Sequence, residues 1–128
     1  MIVDASAIVA ILFREPGHQS LIDSLVRNAP AGIAAPTLLE VGIVASARLK
    51  HDASSLVRNL LRELEVEVVP FGEEHAGTAH SAWLRYGKGR HPAALNFGDC
   101  ISYAVAKRTG STLLYVGSDF DKTDIEPA

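Results

Sequence analysis

Met1-Ile2-Val3-Asp4-Ala5-Ser6-Ala7-Ile8-Val9-Ala10-Ile11-Leu12-Phe13 is the stretch that decides the fold class. The β-branched pair before Asp4 reads as a buried strand, and Ala5 to Phe13 as a helix apolar on nearly every side. Asp4 stands at the junction, where an aspartate caps a helix by accepting hydrogen bonds from its first turn. A strand feeding a buried helix so directly predicts an α/β arrangement with helices crossing over a sheet.

The alternation continues along the chain. Pro16-Gly17 breaks the first helix, and a second runs from His18 to Arg27 with Leu21, Ile22, Leu25 and Val26 on one face. Ala29 to Gly32 reads as a turn and Ile33 to Ala35 as a short strand. Pro36 and Thr37 open a helix from Leu38 to Lys50, in which Gly42 marks a close approach of another backbone. Beyond His51-Asp52, Ser54 to Glu65 is amphipathic, with Leu56, Val57, Leu60, Leu61 and Leu64 inward. Val66 to Phe71 reads as a strand, Glu73 to Tyr86 as a helix and Gly87 to Pro92 as a loop. Asn96 to Arg108 is a helix stopped by Gly110. Thr112 to Val116 is the clearest strand, Gly117 to Thr123 turns away, and Asp124 to Glu126 adds a short last strand. The pattern predicts a single domain over 1–128, with a short, mostly parallel sheet flanked by helices.

A chain of 128 residues is long enough to bury a proper core, and 48% hydrophobic with 21% charged residues fits a soluble globular protein. The formal net charge of -3 excludes a bulk electrostatic grip on nucleic acid but leaves room for a local basic patch. One cysteine, Cys100, fits a reducing compartment and reads as a small core residue. No basic segment precedes the first apolar run, and none reaches the roughly 18 apolar residues of a membrane span. The expectation is a cytoplasmic protein with no membrane association.

In parallel α/β sheets ligands gather beyond the carboxyl ends of the strands. Asp4 follows the first predicted strand and Asp119 the last clear one, while Glu40 and Asp99 fall in the first turns of two helices. Each also has a plain reading. Asp4 is a helix cap, Thr37-Leu38-Leu39-Glu40 matches a capping box, and Asn96-Phe97-Gly98-Asp99 is a looser one. Asp119 and Asp121 are ordinary turn residues. Glu40, however, lies between two leucines and Val41, and an acid in such surroundings needs a partner if it is buried. Carboxylates that converge repel one another unless a cation joins them, and an all-oxygen set suits Mg²⁺ or Mn²⁺. Such ions activate water and neutralise a leaving oxygen in phosphodiester displacement, which points to a metal-dependent nuclease.

Competing chemistries lack their residues. His75 and His80 are five apart and miss the i,i+4 spacing of a zinc-binding helix. No GxxxxGK[ST], GxGxxG or G-x-S-x-G is present. Arg85, Lys88, Arg90 and His91 gather positive charge just ahead of Asp99, either as a solvated loop or as contacts for a nucleic-acid backbone. Trp83, Tyr86 and Phe97 lie close by as candidates for base stacking or for the core.

Taken in order, Met1-Ile2-Val3-Asp4-Ala5-Ser6-Ala7, Glu40 in an apolar helix, Arg85-Tyr86-Gly87-Lys88-Gly89-Arg90-His91 leading to Leu95-Asn96-Phe97-Gly98-Asp99-Cys100, and Leu113-Leu114 ahead of Gly117-Ser118-Asp119-Phe120 are similar to the PIN-domain family. More narrowly the whole chain resembles the VapC toxins of bacterial type II toxin–antitoxin pairs. The resemblance implies a three-layer α/β/α PIN-like domain and a Mg²⁺-dependent endoribonuclease. It also implies an RNA substrate, a VapB-type antitoxin partner docking near the early helices, and a homodimer. By motif, Asp4 and Asp99 match the main metal ligands, Glu40 the helix acid, and Ser6 a small hydroxyl residue near the site. Asp119 is the best match to the fourth acid, but Gly117 and Ser118 stand where the family usually carries a hydroxyl residue and an aspartate. Asp121 and Asp124 therefore compete with it. Two other classes stay open from the residues alone: a PIN-like binding module whose acids are only caps, and a metal-dependent phosphatase acting on small phosphate esters.

Overall fold

Ile2 and Val3 alone make the first strand, β1, and they show why the domain has three layers. Successive strand residues point to opposite faces, and here Val3 joins one apolar core while Ile2 joins another. The division repeats at Ile33 and Ala34, and again at Leu114 and Leu113. A sheet covered on both faces has no polar side to alternate, so the strands at Ile2–Val3, Ala31–Ala34 and Leu113–Leu114 are apolar, and only the edge strand at Val66–Val69 carries an exposed acid, Glu67.

The computed structural model describes residues 1–128. In chain order the elements are β1 (Ile2–Val3), α1 (Ala5–Leu12), α2 (His18–Arg27), β2 (Ala31–Ala34), α3 (Ala35–Leu49), α4 (Ser54–Glu63), β3 (Val66–Val69), α5 (Glu73–Tyr86), α6 (Phe97–Thr109) and β4 (Leu113–Leu114). The four strands are all parallel, in the order β3-β2-β1-β4. Helices α1 to α4 supply the core behind Val3, with Ile8, Leu25, Val41, Val57 and Leu61 buried in it. Helices α5 and α6 supply the other, around Tyr86, Leu95, Tyr103 and Val105. No helix is long and apolar enough to cross a membrane.

Several local expectations shift. Strand β2 begins at Ala31, so Gly32 lies inside a strand and not in a turn. A side chain there would meet Val69 Cγ2 at 2.9 Å and Ile2 Cδ1 at 3.0 Å, and glycine lets the flanking strands' side chains close over the sheet. Gly42, by contrast, has nothing within 4 Å of its missing side chain, so it marks no close contact. Helix α3 starts at Ala35, with Pro36 tolerated in its first turn. Thr37 is therefore inside the helix and closes no capping box with Glu40. The stretch Asp124 to Glu126 forms no strand; a single bridge joins Leu113 to Pro127. Strand β4 stops at Leu114 because the next free amide, that of Val116, donates to the Ser6 hydroxyl at 3.0 Å.

The Thr37 hydroxyl is the one buried side-chain polar atom with no hydrogen-bond partner. Replacing it with a methyl of the same shape removes that desolvation penalty. Thr37→Val is expected to raise stability by about 1 kcal/mol in urea unfolding.

Candidate active site and metal centre

The chain moves outward from β1 to β2 and β3, then returns to place β4 on the other side of β1. Such a reversal opens a crevice beyond the carboxyl ends of β1 and β4, the neighbours between which the order reverses. Asp4 lies there, directly after β1, and it is 6% exposed. As the cap of α1, its Oδ2 accepts from the Ser6 amide at 3.0 Å and the Ser6 hydroxyl at 2.6 Å. Its Oδ1 accepts from the Ser102 hydroxyl, also at 2.6 Å.

Asp99 sits in the first turn of α6 and is 7% exposed. A reciprocal capping box fixes it: Oδ2 accepts from the Asn96 amide at 3.0 Å, and the Asp99 amide donates to Asn96 Oδ1 at 2.9 Å. Burial pushes the Asp99 carboxyl up to about 6, the Asn96 amide opposes this, and the charges of Asp119, Asp4 and Glu40 add to the rise. Glu40 is likewise raised, by burial first and then by Asp4. Its carboxylate lies against α6 where a side chain on Gly98 would meet Oε1 at 2.6 Å. The electrostatic coupling ties acids from four distant parts of the chain into one field.

The three C-terminal acids part company. The Asp121 carboxylate accepts from the Tyr115 hydroxyl at 2.8 Å. Asp124 accepts from the Tyr103 hydroxyl at 2.6 Å and from Lys107 at 2.9 Å, with Arg85 at 3.7 Å. Burial works against the Asp124 charge, but those donors outweigh it and hold the carboxyl down at about 2. Asp121 and Asp124 thus pin the C-terminal segment, while the Asp119 charge faces Asp99.

No lysine, arginine or histidine pairs with Asp4, Glu40, Asp99 or Asp119; the ion pairs of the molecule all lie elsewhere. A group of carboxylates without a cation of its own fits a small, hard divalent ion. No three His, Cys, Asp or Glu side chains close into a ready ligand cage. Mg²⁺ does not need one, since it is commonly held by one or two carboxylates and retains waters. The buried pair Asp4 and Asp99 meets that requirement.

The basic loop is more occupied than its sequence indicates. Arg85 stacks on Tyr86 at 4.8 Å besides facing Asp124. Arg90 lies over Trp83 at 5.1 Å and donates to the Leu84 carbonyl at 3.2 Å. His91 Nδ1 accepts from the Ala93 amide at 3.0 Å. Lys88 makes no side-chain hydrogen bond or ion pair. Of the aromatic candidates Tyr86 is core, Trp83 is partly exposed, and Phe97 is 84% exposed at the mouth of the site. Cys100 is buried, and burial together with Asp99 pushes its thiol up to about 11, as a core residue requires.

Sequence reasoning passed over Ser102. Its signal was present: a hydroxyl in the apolar run Cys100 to Ala106, three residues after Asp99 and on the same helix face.

Comparison with known proteins agrees with this architecture. A family model described as PIN domain matches residues 1–126. The chain is 45% identical over 127 residues to Ribonuclease VapC36 of Mycobacterium tuberculosis, covering 98% of this chain and 91% of that protein. The crystal structure of Mycobacterium tuberculosis VapC20, a sarcin-ricin loop cleaving toxin, superposes with a TM-score of 0.78 at 18% identity, over 99% of this chain and 97% of that one. A toxin–antitoxin complex from Klebsiella pneumoniae gives 0.71 at 18% identity, over 96% and 92% of the two chains. At that identity the two structures speak to the fold.

Proposed function

This chain belongs to the PIN-domain family, and we propose that it is a divalent-cation-dependent endoribonuclease of the VapC kind, held inactive by a VapB-type antitoxin. The observation that carries the reading is the set of acids at the strand ends with no protein cation among them, in a chain 45% identical to a named VapC ribonuclease. Asp4 and Asp99 would hold Mg²⁺, or Mn²⁺ in its place. When bound, the ion supplies Lewis-acid activation of water and neutralises charge on the phosphodiester.

The chain's own residues do the rest. The Ser6 amide and hydroxyl fix one oxygen of Asp4, and the Asn96–Asp99 box fixes the other carboxylate. Glu40, at the rim and raised above its ordinary value, is suited to accept a proton from an attacking water. Asp119 completes the acidic field. Lys88 and the exposed faces of Arg85, Arg90 and His91 would meet the RNA backbone. A water-borne proton acceptor works only if it is held in place, and Gly98 leaves the room for Glu40. Gly98→Ala is expected to keep the fold, because helix α6 accepts alanine there, yet to displace the Glu40 carboxylate. Cleavage should fall by about 10- to 100-fold with no loss in melting temperature.

The direct test is purified protein against structured and unstructured RNA, with Mg²⁺ or Mn²⁺ and with chelator. Cleavage that needs the ion and stops on adding the antitoxin is the expected result. Equal cleavage in chelator overturns the metal mechanism, and turnover of a generic phosphate ester in preference to RNA overturns the substrate class.

We place the second copy of a homodimer on the face beside Glu40, where Leu39, Ile43 and Phe97 are exposed around a cavity of about 390 Å³. Ile43→Glu is expected to convert a dimer to a monomer by light scattering. For the antitoxin, the groove of about 440 Å³ near the early helices, with Ile11, Leu12, Ile22, Leu56 and Leu60 among polar residues that include Arg14 and Glu63, offers a mixed apolar and charged seat.

A further inference from the structure

Ser102 has a hydroxyl at 1% exposure in the middle of an apolar helix. A buried hydroxyl is costly unless bonded, and this one spends its proton on Asp4, 98 residues away in sequence, at 2.6 Å. Asp99 lies one turn earlier on the same helix. The bond therefore ties the carboxylate at the end of β1 to the helix that carries its counterpart.

An ionised carboxylate offers about four lone-pair positions on its two oxygens. Three donors already stand on Asp4: the Ser6 amide and the Ser6 hydroxyl on Oδ2, and the Ser102 hydroxyl on Oδ1. Oδ2 is saturated, and Oδ1 keeps one position free. We propose that Ser102 is a positioning residue for cation binding: by holding Oδ1 it fixes the orientation of the Asp4 carboxylate and leaves on that oxygen the free position that a divalent ion would use. Ser6 holds the far side of the same group, and its hydroxyl is itself fixed because it accepts from the Val116 amide at 3.0 Å. Two segments, α1 and α6, thereby bond one carboxylate, and the residues after β4 brace it through Ser6. Without Ser102 the Asp4 group keeps its Ser6 bonds and its place in the chain but loses the constraint on Oδ1.

This inference rests on the metal reading above, and the experiment separates the two. The probe is Mn²⁺, titrated by isothermal calorimetry into the full-length protein, with its thermal melt in chelator as the control for folding. Ser102→Ala is expected to keep the melt within a few degrees and to weaken Mn²⁺ binding by about 10- to 100-fold, the usual effect of removing a group that orients a ligand. Ser102→Thr keeps the hydroxyl and is expected to restore binding; it also serves if the alanine variant folds poorly. In an Asp4→Asn background, Ser102→Ala should change residual Mn²⁺ affinity no further, because its effect runs through Asp4. Wild-type affinity in Ser102→Ala overturns the role of Ser102 alone. An equal loss in both backgrounds overturns it too, by showing a general structural effect. No Mn²⁺ binding by the wild type overturns the metal reading and this inference together.

Discussion

Asp99→Asn is expected to abolish RNA cleavage and, in the absence of cations, to yield a more stable protein than the wild type. The loss of activity follows from removing one of the two buried charges proposed above to hold the ion. Several kcal/mol of transition-state stabilisation would go with it, on the order of a 10³-fold fall in rate. The gain in stability follows from the same burial. A carboxyl held at about 6, against an ordinary 3.8, binds its proton more tightly in the folded chain than in the unfolded one. Folding stability therefore declines as pH rises from about 4 to about 6, and at neutral pH the charged group costs on the order of 2–3 kcal/mol. Asparagine keeps an oxygen for the Asn96 amide and carries no charge, so the decline over that pH window should flatten. Urea unfolding in chelator at pH 4 and pH 7 measures this directly. Added Mn²⁺ should raise the wild-type melting temperature and leave the variant unmoved. A variant that melts below the wild type at pH 7 in chelator, or that still cuts RNA, contradicts the assignment of Asp99.

Gly87→Ala carries the second large expectation, a loss of about 2–3 kcal/mol, seen as a lower urea midpoint with an unchanged slope. Gly87 ends α5 and begins the basic loop, and a bridge to Leu95 closes that loop behind it. A side chain at Gly87 would run into the Trp83 carbonyl oxygen and meet the indole ring at 2.6 Å. The carbonyl is backbone and accepts the Gly87 amide at 2.7 Å, so it cannot swing aside. The loop must shift instead, taking with it the Arg90 stacking on Trp83 and the Lys88 amide that donates to Leu95. A weaker hold on RNA at low salt should accompany the lower stability. Unchanged stability would show that the loop moves freely.

The alternation of strands and helices was legible because each strand opens on β-branched or apolar residues, and at Val3 the strand runs straight into the capping Asp4. What could not be read were features whose cause lies in another part of the chain. Gly32 looked like turn punctuation because nothing near it in sequence reveals Ile2 and Val69 on either side. Asp119 was the best match to the fourth acid, yet Asp121 and Asp124 stayed in competition with it because the tyrosines that claim those two, Tyr115 and Tyr103, declare themselves only in three dimensions. The basic loop looked free for the same reason, since the Asp124 partner of Arg85 lies beyond the last helix. Ser102 differs from these, because a lone hydroxyl in an apolar helix is a local signal of a distant partner.

The bond between Ser102 and Asp4 also sets an order of events during synthesis. Asp4 is made first, yet β1 gains its second neighbour only when Leu113 and Leu114 pair with it. Two of the three donors on its carboxylate come from Ser6, but the third arrives about a hundred residues later, with α6. Domains complete such long-range pairings late, after the loop-closure cost has been met. A nascent chain therefore emerges from the ribosome with its first acid in place and no working site. A nuclease of the kind proposed above, built this way, has no working site until nearly the whole domain has been made.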